Sequence, residues 1–358
     1  MIDEEVLLCG VFVAGSESWI FVIPIWAQSY TRVMRSAVAF FLFSICVSGP
    51  VEEPVVKPGY LLELPTHPGK LQIAAAQFPI VEASAKPAGT EFGLRGKDEQ
   101  DGIDLLVFLF QYSDEAPLTS EKCRDAMLGH IKADTPGFAL QLKSTVKSKD
   151  ASLAIAEYSN SSARGKWFMV RAFVASEDIC GDIEFSSQHA ISGDTPAVKA
   201  ALASVSFDPG TRQDFQGLFA YATVLFRHEM PKQAAPVYER ALAALPDDDV
   251  SGKWRRVATD QAVMAYGASG DLAKSRALAD HAIQMDPDYP LNYYNLACAD
   301  AEEGHAAQAR IHLQEAFDRR RNTLPGESLP DPTQDDSIMK LKSDRAFWSF
   351  VETLQRNR

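Results

Sequence analysis

The sequence has few of the patterns that usually mark chemistry. Its five cysteines, Cys9, Cys46, Cys123, Cys180 and Cys298, include no pair at CxxC spacing, and its seven histidines form neither an HExxH motif nor a His/Cys cluster. Those absences leave no zinc pattern and no metal ligand to nominate. No GxSxG marks a hydrolase nucleophile. Gly93-Leu-Arg-Gly-Lys97 lacks the spacing and the following Ser or Thr of a phosphate loop, and reads as a hairpin or flexible loop. Asp331, Asp335 and Asp336 lack the alternating acids and central glycine of an EF-hand, and Asp247 to Asp249 read as a solvated loop. No catalytic residue and no cofactor follow from any of these, and the reading is of a non-enzymatic protein.

Positive charge is also scarce. Against 48 acidic residues stand 35 Lys and Arg, a formal charge of −13 with pI near 5.0, which argues against nucleic acid as a partner. Long apolar runs are missing as well. Trp19 to Ala27 and Ala37 to Val47 are two short apolar runs near the N-terminus, and neither reaches the ~20 residues that a bilayer-spanning helix needs. The second follows Arg32 and Arg35 and precedes Ser48 and Gly49, the order of a secretory signal. Residues 1–49 are therefore expected to be a signal peptide or N-terminal anchor, with Met34 as an alternative start. An ordinary N-terminal helix is the competing reading. Lipidation at Cys46 is opposed by Phe43-Ser-Ile ahead of it, which offers no small residue at the usual place. Any membrane contact would run through an uncleaved N-terminal segment. Residues 50–58, with three prolines, read as an extended linker.

Over residues 59–208 the apolar pattern is that of strands. Leu105 to Phe110 is a continuous run, expected of a strand buried on both faces. Phe138 to Leu142, Leu153/Ile155 and Ile183/Phe185 alternate, and Trp167 to Val174 is aromatic and β-branched. A helix starting near Thr119 or Ser120 turns Cys123, Ala126, Met127 and Ile131 to one side. A second has Asp194 or Thr195 at its start with Pro196 as first helical residue, then Val198, Ala201, Leu202 and Val205 inward. Strands in runs with helices between them imply an α+β sandwich on a mainly antiparallel sheet. Cys123 and Cys180 are its only cysteines. In an exported protein they make a disulfide; otherwise they are two buried thiols.

From Phe215 to Arg321 the period becomes helical and recurs three times. Counting back from Pro246 places Leu218, Tyr221, Ala222 and Leu225 on one helix and Ala234, Tyr238 and Ala241 on the next. Counting back from Pro287 gives Ala262, Tyr266, Gly270, Ser275, Ala279 and Ala282 in the same register. A third unit from Pro290 adds Tyr293, Leu296, Ala297, Gly304, Ala309, Leu313 and Ala316. Small residues at these places let helices approach closely. The stretch Asp247 to Lys253 is expected to loop out between units one and two. His305 and His312 read as exposed helix residues.

This pattern resembles the tetratricopeptide repeat (TPR) family, whose units of about 34 residues are helix pairs closed by a proline. Asp300 stands where that family usually has an aromatic, which marks unit three as a degenerate edge. Ile338, Leu341, Phe347, Phe350, Val351 and Leu354 form a stripe suited to capping the array. The middle region more loosely resembles the Mog1/PsbP-like group: early hairpins, a helix, a meander and a last helix ending near Ser206-Phe207.

The expected fold is thus α+β. An antiparallel sheet sandwich with helices spans 59–208, an all-α TPR helical-repeat domain 213–321, and a loop with a capping helix 322–358. The TPR resemblance implies a concave face carried by the first helix of each unit. It places Gln216, Phe219, Thr223, Phe226 and Arg227 there from unit one, and Val257, Asp260, Met264, Gly267 and Ala268 from unit two. Leu291, Tyr294, Cys298, Ala301 and Glu302 follow from unit three. The family's lysine and asparagine clamp for a C-terminal carboxylate is absent, because Phe219 and Thr223 occupy those places. Phe219, Phe226, Met264 and Tyr294 suit an apolar peptide or helix, with Arg227, Asp260 and Glu302 setting orientation. The reading is an exported, periplasmic or envelope-associated protein that binds a protein or peptide partner. Two alternatives stay open: the repeats only brace the sandwich domain, or that domain is a small-ligand binder or enzyme using Arg171, Glu157 or His189.

Overall fold

A computed structural model describes residues 10–12, 19–21, 59–112, 118–135, 137–162, 165–210, 212–246 and 251–356. Met34, Cys9, Cys46, the linker at 50–58 and Asp247 to Asp249 lie outside the described residues, and so does nearly all of the expected signal or anchor. Two short strands near the N-terminus, β1 (Gly10–Phe12) and β2 (Trp19–Phe21), pair antiparallel. No helix among the described residues is long and apolar enough to cross a membrane. Beyond the linker the chain divides into two compact units, one ending at Leu225 and the other starting at Phe226.

The first unit follows the expected order. Hairpin β3 (Gly59–Leu64) and β4 (His67–Ala74) precedes β5 (Ile80–Ala85), β6 (Glu91–Asp98) and β7 (Ile103–Gln111). Then come α1 (Ser120–Asp134), β8 (Ala139–Lys147), β9 (Ser152–Ser162), β10 (Gly165–Ser176) and β11 (Ile179–Ser187). The run ends with α2 (Pro196–Ala203), β12 (Ser206–Asp208) and α3 (Phe215–Arg227). Seven strands form one antiparallel sheet, ordered β5-β6-β7-β11-β10-β9-β8, and three form a second, β12-β4-β3.

Strand alternation sends side chains to two different covers. Val170, Ala172, Val174, Ile183 and Phe185 are buried toward the small sheet, where Phe78 meets Phe185 at 5.7 Å between ring centroids. The opposite face carries Phe173, Ala154 and Cys180 against Cys123 and Leu118 at the start of α1. Thr119 caps that helix, its side chain accepting the Lys122 N–H.

Several local expectations are revised. In β7 only Ile103, Leu105, Val107 and Leu109 are buried, while Leu106, Phe108 and Phe110 are half-covered, so the run is one-sided. In β8 both Leu140 and Leu142 are exposed, because a register shift falls between them and the strand is a sheet edge. Gly93 to Lys97 is no loop but the middle of β6. The Phe108 ring and the Tyr60 hydroxyl fill the space that side chains at Gly93 and Gly96 would take.

The first helix of the first repeat belongs to this unit as far as Leu225. Tyr221 donates to the carbonyls of Lys86 and Glu91 and meets Phe92 edge-on at 5.3 Å. Glu63 accepts the Asp214 N–H at 2.8 Å, and Lys70 pairs with Asp214 at 3.0 Å. Buried sheet polar groups thereby find partners in the segment that opens the repeats.

The second unit is helical: α4 (Pro231–Ala244), α5 (Ser251–Ala268), α6 (Leu272–Met285), α7 (Pro290–Glu302) and α8 (Ala306–Asp318). A single turn, α9 (Asp336–Met339), and a last helix, α10 (Arg345–Arg356), complete it. Ala234, Ala241, Ala262, Ala279, Ala297, Ala309 and Ala316 are all 0 % exposed, as helix crossings require. Gly270 and Gly304 take positive φ between paired helices. Ser251 to Lys253, expected in a loop, instead begin α5. Ile338, Leu341, Phe347, Val351 and Leu354 share one core with Tyr294, Ala297, Leu313 and Phe317, and Phe350 lies half-buried beside it.

Candidate functional site

The first helices of units two and three bring their concave positions to a common cavity of about 390 Å³ within the second unit. Asp260, Met264, Gly267 and Ala268 come from α5, and Leu291, Tyr294, Cys298 and Glu302 from α7, with Phe226 beside them. Of the residues nominated from sequence, Phe226, Asp260, Met264, Tyr294 and Glu302 meet here. Phe219 and Arg227 do not line the cavity. Phe219 stacks on Phe215 at 5.4 Å in the first unit. Arg227 is not a free orienting charge: burial pushes its guanidinium below the usual range, partly offset by Tyr238.

A further wall was not legible in the concave pattern. Pro330, Asp335, Asp336, Ser337 and Lys340, from the segment after the repeats, close one side. Asp335 caps α9 by accepting the Ser337 and Ile338 N–H groups. Its carboxylate also receives the Tyr294 hydroxyl at 3.3 Å and lies 3.8 Å from the Cys298 sulfur. Ser337 donates to Glu302 at 2.7 Å, and Lys340 pairs with the same carboxylate. The chain thus covers the unit-three end of its own concave face, and leaves the cavity between that cover and α5. A sequence signal existed in Asp335-Asp-Ser-Ile, a helix start with a capping acid, but nothing in it names the surface it meets.

Burial sets the electrostatics. Asp260 is 7 % exposed. Its Oδ1 accepts the Asn295 side-chain N–H at 2.7 Å. Burial pushes its carboxyl up to about 7, against the hydrogen bonds from Asn295 and Gln261 and with help from the charge of Glu327. The Cys298 thiol is pushed well up, by burial first and then by Asp335, so it stands as thiol rather than as an activated nucleophile. Tyr294 is pushed up for the same two reasons.

The sandwich candidates do not converge. Arg171 lies opposite Ala156 and Glu184, whereas Glu157 lies opposite Val170, which puts Arg171 and Glu157 on opposite sheet faces. Arg171 is spent on Asp182 at 2.7 Å, Glu184 at 3.0 Å and Tyr158 at 3.4 Å. Glu157 accepts the Gly193 N–H at 2.9 Å, and His189 is exposed. Cys123 and Cys180 are paired, with Cα atoms 6.3 Å apart.

Two groups of side chains have the residue types of a metal site, and their hydrogen bonds speak against that use. His67 Nδ1 accepts the Gly69 N–H at 3.0 Å. Its proton then sits on Nε2, facing Glu177 and Asp178 as a donor. Asp300, beside Glu303 and His305, gives its oxygens to Arg276 and His312 instead. His312 is therefore an engaged residue, not the exposed one expected.

The helical region is a series of paired helices, the architecture expected from the TPR-like pattern. No protein-family model matches the chain, and no curated protein matches it. Among solved structures it is similar to the Sgt2 TPR domain from Aspergillus fumigatus, at 19% identity over 40% of this chain and 82% of that one, with a TM-score of 0.29. It is similar to YrrB, a TPR protein described as having an unusual peptide-binding site, at 20% identity over 36% of this chain and 58% of that one, with a TM-score of 0.27. It also resembles LpqN of Mycobacterium tuberculosis, described as involved in cell envelope biogenesis, at 15% identity over 44% of this chain and 82% of that one, with a TM-score of 0.23.

Proposed function

We propose that the second unit is a peptide-binding module, and that the cavity between α5 and α7 takes a side chain of a partner segment. The observation that carries this is the cavity itself. Residues from two successive repeats and from the covering segment converge on about 390 Å³ of space, a size typical of small binding sites, roughly 300–1,000 Å³. Its walls mix apolar side chains, Phe226, Val263, Met264 and Leu272, with a few placed polar ones, Asp260, Asn295 and Glu302. A binding role is favoured over a catalytic one because the cavity's thiol, Cys298, is pushed by burial and by the Asp335 carboxylate beside it away from the thiolate form that a nucleophile needs.

The test is to pan a random peptide display library against the immobilised full chain and against a Gly267→Leu variant. Gly267 lines the cavity, and a Cβ there meets nothing closer than the Ser275 hydroxyl at 3.6 Å, so leucine fills the space without breaking the helix. Peptides enriched by the native chain and lost by the folded variant are expected. Enrichment by neither, or equally by both, would reject the cavity as the binding surface. Tyr294 is unsuited to such a test, because at 2 % exposure it is core.

We also propose that the chain is exported and works at the envelope. The signal-like order around Ala37 to Val47 and the pairing of Cys123 with Cys180 support this. Fractionation of cells expressing the full chain, with thiol labelling, tests it; recovery in the cytoplasm with both thiols reactive would reject it.

A further inference from the structure

Asp260 is a carboxylate that the fold does not need. It is nine-tenths buried on the cavity wall, and the side chains that hydrogen-bond to it are the amides of Asn295 and Gln261. Among the described residues no lysine, arginine or histidine forms an ion pair with it. An asparagine here would keep the Asn295 bond and avoid the cost of burying charge. Asp335, also on the cavity lining, is likewise served by hydroxyl, thiol and backbone donors and, among the described residues, by no cation. Among the described residues, the one cationic side chain lining the cavity, Lys340, is taken by Glu302. Between these carboxylates the walls are apolar, with Met264 and Leu272 among them.

We infer that the cavity binds the cationic side chain of a partner segment, arginine foremost, with its apolar stem along Met264 and Leu272 and its charge against Asp260. This rests on the peptide-binding reading above and adds the chemistry of the residue bound. A guanidinium supplies the charge that the buried carboxylate lacks, and its planar fork of donors can serve more than one carboxylate at once. A long aliphatic stem behind the charge matches walls that are mostly apolar. An acidic or C-terminal carboxylate ligand is disfavoured by the same walls, since it would face Asp260, Asp335 and Glu302 together.

The peptides enriched by the native chain in the panning experiment provide the probe. Each is resynthesised with its arginine replaced by citrulline, a neutral isostere, and both forms are titrated against the native full chain and an Asp260→Asn variant. Expected are enriched sequences bearing arginine or lysine beside apolar residues, and a loss of at least about tenfold in affinity on the citrulline change. The same loss is expected in the Asp260→Asn protein, with no further loss when both changes are combined. Enriched peptides without a cation, or equal binding of arginine and citrulline forms to the native chain, would overturn this inference. Sensitivity of such peptides to Gly267→Leu would still leave the peptide-binding reading standing. Failure to enrich any peptide would remove both. Thermal unfolding of Asp260→Asn, expected to be at least as stable as the native chain, shows that lost binding is not lost fold.

Discussion

Asp300 in α7 is held by His312 of α8, whose Nδ1 lies 2.6 Å from its Oδ2. Arg276 of α6 binds the other oxygen at 2.8 Å, and the acid's side chain is only 2 % exposed. Three helices are thus tied through one carboxylate. What looked like a departure from the aromatic of other repeats is a different solution to the same packing position. Burial raises the Asp300 carboxyl, but the hydrogen bonds from His312 and Arg276 outweigh it and hold it below its ordinary value.

Removing that carboxylate should therefore cost more than removing a surface acid. Asp300→Ala takes this acceptor from both His312 and Arg276, although Arg276 keeps Glu303 at 2.7 Å, and a loss of about 1–3 kcal/mol is expected from urea unfolding at neutral pH. A carboxyl lowered on folding contributes stability that is complete above its unfolded value near pH 4 and disappears as the pH falls through the folded value. The native and Asp300→Ala proteins should accordingly converge in stability as the pH drops below about 4. A gap of equal size at pH 7 and pH 3 would contradict this.

The Cys123–Cys180 pair spans 57 residues. Closing a loop of that length restricts the unfolded chain by about 4 kcal/mol on the loop-entropy account. The double variant Cys123→Ala, Cys180→Ala should lower the denaturant midpoint of the sandwich unit, and added reductant should have no further effect on it. The same reductant should destabilise the native chain. Equal midpoints with and without reductant would mean that the pair is not bridged in solution.

Glu229 sits at φ 59°, at the turn between α3 and α4. In the next two units the same turn carries Gly270 and Gly304, at φ 83° and 79°. A side chain is strained there because Cβ crowds the backbone in the left-handed region, at a cost of about 1 kcal/mol. Glu229→Gly should raise the urea midpoint by roughly 0.5–1 kcal/mol of stability with an unchanged slope. A fall in stability would show that the Glu229 side chain makes contacts worth more than the strain.

Gly217 shows the opposite need. A Cβ there would lie 2.4 Å from Glu63 Cβ, so α3 approaches β3 at a place with no room for a side chain. Gly217→Val should displace the helix from the sheet, costing about 1–3 kcal/mol, and amide exchange over residues 215–225 should rise with it. Unchanged protection there would mean that the helix shifts without releasing Tyr221.

The repeats were legible because each unit places alanine at the same helix crossings, and a period of that kind survives in the sequence whatever the partner. Local strand pattern was legible too, but not which face each strand buries. The burial of Leu106 or Leu140 depends on neighbours far along the chain and on one register shift, which alternation alone does not encode. The cavity was half legible. Its α5 and α7 walls follow from repeat position, whereas Asp335 and Lys340 reach it from outside the repeats.

Asp260 behaves in the reverse sense to Asp300, and the two can be separated by pH. Its carboxyl rises on folding from the ordinary carboxylate range to about 7 because it is buried, with Glu327 adding to the effect and Asn295 and Gln261 opposing it. Tyr289, with Arg256 over its ring, and Cys298 also feel the Asp260 charge, and Arg256 is itself paired with Asp286 at 2.6 Å. A raised carboxyl favours the folded state while it can stay protonated, and that advantage is lost as the pH rises from about 4 toward 7. Asp260→Asn should then match the native chain in melting temperature below about pH 4 and exceed it by a margin that grows until about pH 7. A cationic peptide that binds the ionised form should show the complementary trend, tightening on the native chain as the pH passes through about 7. If Asp260→Asn gave no stabilisation at pH 8, a cation within the native protein would already be balancing the charge, and the carboxylate would not be waiting for a partner to supply one.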